Sequence, residues 1–501
     1  MHESRAVLNA LLNHSTSRVP INKLPTEVLG RIFAIIAGST PCYLENSGRD
    51  TLLDIPRVCA RWYQVATSTR SLCSHIDIYN PPHDADTNLV RLRLERSHGV
   101  PLHIHLGSDY PAMGNMISKI VPILQPYKAS TSSLLISGMD SSDARALFAL
   151  YFGDSGPEAL SALTVCNVRD SGVSLPWPTY PTPGLTSLEL HELGSASPAL
   201  DDLANLLSGS PCLHTLRLSQ LRNFRAHLGD QQDYRTISLP HLKLFEFAAP
   251  GTSIFAPLLT MIHPGKLELH VRLGIPIIGE GLVPRAARLL LTRSNVVSLA
   301  LSRINSRFAP DIRSFFLCVP SLRALRVNCL EHNVEPFLAP LADDNTLQSL
   351  PSLELLCLSN GEINSRLMNQ IKSMVEAGRL HSLIFWSCRF PAAFVSEAEY
   401  QQDYIDLVGM PDINEDEDEG QDLDLGLDEE EDEDVDIGIL GALHELGTPD
   451  KNFPFMPKAT KEWLLEYVER LVVCETPLDR TINGVDVLAQ EMTKIDSNDY
   501  V

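Results

Sequence analysis

Apolar residues recur through the middle of the chain in a six-residue unit, L-x-x-L-x-L. The second half of each unit alternates apolar and polar positions, which predicts a short, half-buried β-strand. Successive units start 25 to 31 residues apart, with one interval of 54 residues that accommodates a further unit, KLELHV, near Leu267. Proline often precedes a unit, where it ends a helix and turns the chain towards the strand. The eight units begin at Leu160, Leu185, Leu213, Leu242, Val296, Leu322, Leu353 and Leu380.

The period of these units resembles that of leucine-rich repeats. The resemblance implies an α/β solenoid over residues 100–390, with one short parallel strand and one helix or irregular return per repeat. Two further strands, PLHIHL from Pro101 and SLLIS from Ser133, are expected at its start. The ninth position of the unit, usually Asn or Cys in that family, is matched only by Cys388, so the repeat is irregular. A generic leucine-rich α/β domain is the alternative.

A helical pattern lies near the N-terminus. In LPTEVLGRIFAII the apolar residues recur at spacings of three and four, which predicts an amphipathic helix with Pro25 in its first turn. The stretch LLDIPRVCARWYQVAT repeats this spacing, and LCSHIDI then alternates as a half-buried strand does. We therefore expect a compact helical unit over residues 19–80, preceded by a helical or flexible segment over residues 1–18.

The two helical stretches together resemble an F-box. LPTEVLGRIF resembles the opening of that motif, L-P-x-E-[VIL]-L-x-x-I-F, and RVCARWYQVA resembles its close, V-C-x-x-W-x-x-[VLI]-A. The resemblance implies an all-α module that docks on the Skp adaptor and, through it, on a cullin–RING ubiquitin ligase. Trp62 is also expected to anchor the helices internally, and an unrelated helical hairpin is the alternative. The residues assigned to the adaptor contact are Leu24, Pro25, Val28, Leu29, Ile32, Phe33, Val58, Cys59 and Trp62.

The charge of the chain is concentrated in one segment. The formal net charge is −23, but the interval between Arg389 and Lys451 holds 22 Asp and Glu and no Lys or Arg, so the remainder carries only −1. A segment of this composition cannot bury enough apolar surface to fold, which predicts acidic disorder over residues 396–450. After it, WLLEYVERLVV from Trp463 predicts an amphipathic helix within residues 452–490.

Composition excludes several classes of protein. No run of about 18 apolar residues occurs, so a membrane-spanning helix is not expected. The N-terminal residues lack the pattern of a signal peptide. The ten cysteines form no CxxC pair, which favours reduced thiols and a cytoplasmic or nuclear protein. No basic patch indicates nucleic acid as a partner.

Three short signals are typical of catalytic or metal sites, and each is incomplete. GDSGP at Gly153–Pro157 lacks the final glycine and the histidine motif of trypsin-like proteases. The run from Asp412 begins like a calcium loop but has Glu417 where glycine is required. His103 and His105 share a strand face, but no third ligand lies at an informative spacing, so a solvated strand face is the preferred interpretation. We therefore predict no enzyme activity, no cofactor and no metal site.

These patterns lead to one function hypothesis and one alternative. The predicted fold class is α+β multidomain: a small all-α F-box module, an α/β leucine-rich-repeat solenoid and a disordered acidic segment. The predicted function is the substrate-recognition subunit of a Skp–cullin–F-box ubiquitin ligase, with an unknown protein substrate on the strand face and with neither nucleic acid nor membrane as a partner. The alternative is a non-enzymatic scaffold that uses the helical hairpin outside ubiquitination. The outward positions predicted to contact the substrate are Glu189, Arg217, Glu246, Arg326, Leu355, Ile384 and Trp386.

Overall fold

The structure is a computed structural model of the chain, and the placement of part of the residues is described below. The described residues are 20–39, 55, 57–79, 84–107, 114–153, 156–169, 174–178, 180–221, 235–248, 256–274, 282–302, 315–328, 350, 352–360, 363, 365–376, 380–386, 388, 464, 468 and 470–474.

One parallel β-sheet of 13 strands runs through the described part of the chain. Its strands pair in the order in which they occur in the sequence, except that two short strands, β7 and β9, leave the sheet and pair with each other. The strands are β1 His75–Tyr79, β2 Leu102–Gly107, β3 Thr131–Ser137, β4 Ala162–Cys166, β5 Ser187–His191, β6 Thr215–Ser219, β7 Ile237–Leu239, β8 Leu244–Ala248, β9 Ile262–Pro264, β10 Leu269–Leu273, β11 Val296–Ser302, β12 Ala324–Asn328, β13 Leu355–Ser359, β14 Ser382–Trp386 and β15 Arg470–Cys474.

Helices precede the sheet and alternate with many of its strands. Of the helices named below, which lie in the described part of the chain, three lie before β1 and the others fall in the crossovers that parallel pairing requires. Short 3₁₀ turns occupy Pro20–Lys23, Gln125–Ser130 and Gly194–Ala196. The α-helices are α1 Thr26–Ser39, α2 Ala60–Ser68, α3 Arg70–Cys73, α4 Asp84–Arg96, α5 Gly114–Leu124, α6 Ser141–Phe152, α7 Leu200–Ser208, α8 Ala256–Met261, α9 Leu282–Thr292 and α10 Ser365–Glu376.

This architecture corrects the predicted fold class. The structure is α/β, one long parallel sheet with interleaved helices, and the prediction of an α+β chain with a separate all-α module followed by a solenoid is wrong. The helical segment is not set apart from the sheet: α3 ends at Cys73, β1 begins at His75, and α3 packs on both β1 and α4. The strand that had been assigned to the helical unit is the edge strand of the sheet.

Alternating burial explains why each leucine-rich unit forms a strand. In β5, Leu188 and Leu190 are fully buried while Ser187, Glu189 and His191 are half-buried, and β4, β6, β8 and β12 repeat this pattern. The buried side chains of successive strands join one continuous core. Truncating one of these leucines to alanine costs about 2–5 kcal/mol, because it removes apolar burial and leaves a cavity.

A residue in left-handed backbone conformation follows several strands. Asn167, Glu192, Gln220 and Asn360 come directly after β4, β5, β6 and β13, with φ between 50° and 56°. The amide of Glu192 donates to the carbonyl of Ser219, so the hydrogen-bond ladder continues through this turn. A left-handed φ at a residue with a Cβ costs about 1–2 kcal/mol. The stacked turns are therefore held in place by the pairing of the strands on either side.

The helix predicted within residues 452–490 overlaps a strand of the structure. Arg470–Cys474 is β15, which pairs with β14 in register, so a helix there is wrong. Leu464 and Val468 are buried against the main core. The acidic segment over residues 396–450 and the N-terminal segment over residues 1–18 lie outside the described residues. Among the described helices, none has the length and apolarity to cross a membrane.

The left-handed turn after β5 gives a test of the fold. The Glu192 side chain is exposed, so its replacement changes the backbone preference and removes little packing. We expect Glu192→Val to lower the free energy of unfolding by about 1–2 kcal/mol, because a β-branched residue disfavours this conformation, and Glu192→Asn to leave it unchanged or higher. Urea unfolding of both variants checks this. An equal loss in the two variants would contradict the assigned backbone conformation.

Candidate functional site

A small core of its own holds helices α1 to α3 together, and we call these helices the helical module. Phe33 of α1 packs on Trp62 of α2 with ring centroids 4.9 Å apart. The Arg61 guanidinium of α2 donates to the carbonyl of Leu24, just before α1, which ties the two halves of the motif to each other. The buried residues of this core are Leu29, Phe33, Ile55, Val65, Ala66 and Leu72.

Helix α1 carries a second apolar side that the module does not bury. Val28, Ile32, Ile35 and Ile36 recur at spacings of four, three and one, which places them along one side of the helix, next to the buried side. Val28 is 43% exposed, Ile35 62% and Ile36 41%, and Ile32 is half-buried. We call these four residues the apolar stripe. Such a stripe on a helix that already buries another side favours a second binding partner.

The predicted adaptor residues divide into three groups by exposure. Pro25, Val28 and Val58 are exposed, whereas Leu24, Ile32, Cys59 and Trp62 are half-buried. Leu29 and Phe33 are fully buried in the core of the module, so their expected direct contact with a partner is corrected to a role in packing the helices. The periodicity of the sequence predicts one surface for both apolar sides of α1, although one side packs inside the module and the other is largely exposed.

The outward face of the sheet carries a row of alternating charges. Glu189, Arg217, Glu246 and Arg272 occupy paired positions on β5, β6, β8 and β10, and we call them the charged row. Arg217 Nη1 lies 3.5 Å from Glu189 Oε1, and Arg217 Nε lies 3.5 Å from Glu246 Oε2. Arg272 Nη1 is also 3.5 Å from Glu246 Oε2. These partly exposed pairs each contribute about 0.2–1 kcal/mol, so they can exchange partners at little cost.

The environment of Glu189 favours its ionised form. Burial acts to raise the pKa of this carboxyl, but His191 and Arg217 outweigh it and hold the pKa below its usual value. His191 Nε2 lies 3.8 Å from Glu189 Oε2, and the other ring nitrogen of His191 is 2.6 Å from Ser219 Oγ. The charged row therefore presents fixed charges of both signs at neutral pH.

The predicted substrate residues do not form one surface. Glu189, Arg217, Glu246 and Arg326 lie in the same outward row and are partly exposed. Leu355 and Ile384 are not available to a substrate as predicted, because Leu355 is only 4% exposed and Ile384 only 1%. All five residues of β13 are buried, so that strand is covered on both faces. The Trp386 side chain lies outside the described residues.

A cluster of histidine and aspartate lies at the other end of the same row. His75 and Asp77 share one face of β1, and Asp77 pairs in register with His105 of β2. Asp77 Oδ1 accepts a hydrogen bond from His75 Nε2 at 3.1 Å and lies 3.1 Å from His105 Nδ1. The rings of His75 and His105 meet edge to face with centroids 4.5 Å apart. We call His75, Asp77 and His105 the histidine cluster.

The histidine cluster was missed by the sequence analysis. The sequence pairs His105 only with His103, because the predicted helical unit over residues 19–80 contains His75 and Asp77. A signal was present: HID and HIH have the same alternation, so pairing of the two strands brings their polar residues onto one face. Burial acts to raise the pKa of Asp77, but the imidazoles of His105 and His75 outweigh it and hold the pKa well below its usual value.

Comparison with known proteins does not assign this chain to a family. No protein-family model and no curated protein matches this chain. The functional argument therefore depends on the motifs and on the placement of their residues.

The charged row predicts a pH-dependent contribution to stability. Arg217→Met removes the cation between Glu189 and Glu246, and we expect it to lower the free energy of unfolding by about 0.5–1 kcal/mol at pH 7. The pKa of Glu189 is lower in the folded state than in the unfolded state. The stabilisation that its ion pair with Arg217 provides is therefore present above the unfolded-state pKa and is lost as pH falls through the folded-state pKa. Urea unfolding should show that the difference in free energy of unfolding between the variant and the wild-type chain is smaller near pH 3.5 than at pH 7.

Arg326→Met is the matched control for this measurement. Arg326 lies in the same row on β12 and has no ion-pair partner within the described part of the chain. We expect its replacement to change stability by less than about 0.5 kcal/mol at either pH. Equal losses in the two variants would contradict the role of Arg217 as the shared cation of the row.

Proposed function

We propose that this protein is the substrate-recognition subunit of a Skp–cullin–F-box ubiquitin ligase. The helical module binds the Skp adaptor, and the outward face of the sheet binds the protein substrate. The observation that carries the proposal is the apolar stripe of α1, exposed beside the buried core of a module whose two halves resemble the F-box motif. Ubiquitin transfer takes place on the other subunits, and this chain supplies proximity and orientation.

The difference in exposure among the residues of the F-box-like motif supports the adaptor contact. Leu29 and Phe33 hold the helices together, while Val28, Ile35 and Val58 remain exposed. A short helical segment has too little internal volume to bury every apolar residue of such a motif. The adaptor would cover the exposed set by receiving α1 in an apolar groove, a recurrent mode of helix recognition.

The charged row supports a protein substrate on the sheet. Its ion pairs are loose and partly exposed, so carboxylate and guanidinium groups of a substrate can replace them without leaving a charge buried and unpaired. A surface with both signs of charge recognises a complementary charge pattern and selects against a like one. We propose the cytoplasm or the nucleus as the compartment, because the ligase subunits act there.

The adaptor contact is tested by charge substitution in exposed residues. Val28 and Val58 are 43% and 50% exposed, so Val28→Asp/Val58→Asp leaves the core of the module intact. Placing carboxylates in a desolvated contact costs several kcal/mol, and we expect binding to purified Skp adaptor to weaken by about 100-fold or more. Leu317→Asp, at a 59% exposed leucine after β11, is the control that keeps full binding.

Co-purification decides between the ligase and a scaffold that uses the module differently. The full-length chain should recover the adaptor and a cullin, and the double variant should recover neither. Adaptor binding that is equally tight in wild-type and double-variant protein would contradict the assigned surface. Absence of the adaptor and the cullin from the wild-type complex would contradict the proposed function.

A further inference from the structure

The histidine cluster has the dimensions of a metal site. One ligand atom from each of His75, Asp77 and His105 lies within 4.8 Å of the other two. Asp77 Oδ1 is 3.1 Å from His75 Nε2 and 3.1 Å from His105 Nδ1. Two ligands bound to tetrahedral zinc at about 2.0–2.1 Å lie about 3.3 Å from each other. The two separations measured from Asp77 Oδ1 are close to that value, so the spacing of these ligand atoms suits a single ion.

An unsatisfied nitrogen gives a second, independent indication of a ligand. The His105 side chain is 10% exposed, and its Nδ1 is buried without a hydrogen-bond partner among the described residues. Nδ1 approaches Asp77 Oδ1 closely, but outside hydrogen-bond geometry. Buried polar atoms are nearly always paired, because an unpaired one carries its full desolvation cost. A cation between the imidazole and the carboxylate would satisfy both groups.

The positions of the three residues in the fold hold the cluster together. His75 and Asp77 are two residues apart on β1 and so project from the same face. His105 is the register partner of Asp77 on β2, and its backbone is fixed by strands on both sides. His103, the register partner of His75, is exposed and does not belong to the cluster of converging ligand atoms.

We propose that His75 Nε2, Asp77 Oδ1 and His105 Nδ1 bind one divalent transition-metal ion of the zinc class, with water in the fourth position. Two imidazoles and one carboxylate favour zinc and its neighbours over calcium or magnesium, which prefer all-oxygen sites. The ion links β1, the edge strand next to the helical module, to β2. This link would brace the edge of the sheet from which the module extends.

Metal binding is measured on the metal-free full-length chain. Zinc is titrated calorimetrically in the presence of millimolar magnesium, which occupies the carboxylates of the acidic segment. Cobalt replaces zinc as a spectroscopic probe, because four-coordinate cobalt shows strong visible absorption. We expect one tight zinc ion per chain, a cobalt spectrum of a four-coordinate site, and a thermal unfolding midpoint that rises with zinc.

Three variants locate the site. Removing a residue that only hydrogen-bonds to a metal ligand typically lowers metal affinity by about 10–100-fold. Removing a ligand itself should cost at least as much, so we expect Asp77→Asn and His105→Ala to weaken zinc binding by about 100-fold or more. His103→Ala is the matched control: it removes an exposed histidine of the same strand face and should keep both the affinity and the cobalt spectrum. Circular dichroism confirms that each variant is folded, and His75→Ala, at a side chain that is 22% exposed against 10% for His105, replaces His105→Ala if that variant does not fold.

The outcomes that overturn the proposal are equally definite. Absence of tight zinc binding to the wild-type chain would exclude the site. Binding that is equally tight in the wild-type chain and in folded Asp77→Asn would place the ion elsewhere. A loss in His103→Ala as large as in His105→Ala would contradict the assigned ligand set.

Discussion

The in-register pairing of parallel strands is the constraint on which the rest of the structure depends. The strands of the main sheet pair with their neighbours so that equivalent positions align, with one register shift at the start of the β2–β3 pair and one at the start of the β10–β11 pair. Side chains from different strands are thereby aligned in rows across the sheet. One face becomes a continuous apolar core, and the other shows a row whose character changes from the histidine cluster through the charged row to buried apolar residues. Both proposed sites on the sheet are consequences of that alignment.

The sequence predicted the strands better than it predicted the architecture. The structure places a strand in each of the eight leucine-rich units, because alternation is a local property that a strand satisfies by itself. The class of the fold depends instead on which strands pair and on how the helices join them. The HIDIY strand illustrates this: it was recognised as a strand, but only its pairing with β2 makes it the edge of the sheet.

The errors at the C-terminal end have physical causes. Alternation gives the direction of a side chain and does not show what covers it, so Leu355 and Ile384 were expected on the surface. The unbroken apolar run in β13 was the available signal, because strands buried on both faces lose alternation. Arg470–Cys474 fits a helical period, but pairing with β14 and adjacent valines stabilise a strand there.

The two sides of α1 connect the fold to the proposed function. One side holds the helical module together, and the module joins the sheet through α3 and β1. The other side is left for a partner, so the adaptor and the substrate would occupy surfaces that different residues build. Two separate binding surfaces on one chain are what a substrate receptor requires.

Hydrogen–deuterium exchange of the full-length chain, with and without purified Skp adaptor, tests this account most directly. The account predicts slower exchange in α1 and around Val58, with no change in the strands that carry the charged row. Unchanged exchange in α1 at saturating adaptor, or protection confined to the sheet, would contradict it.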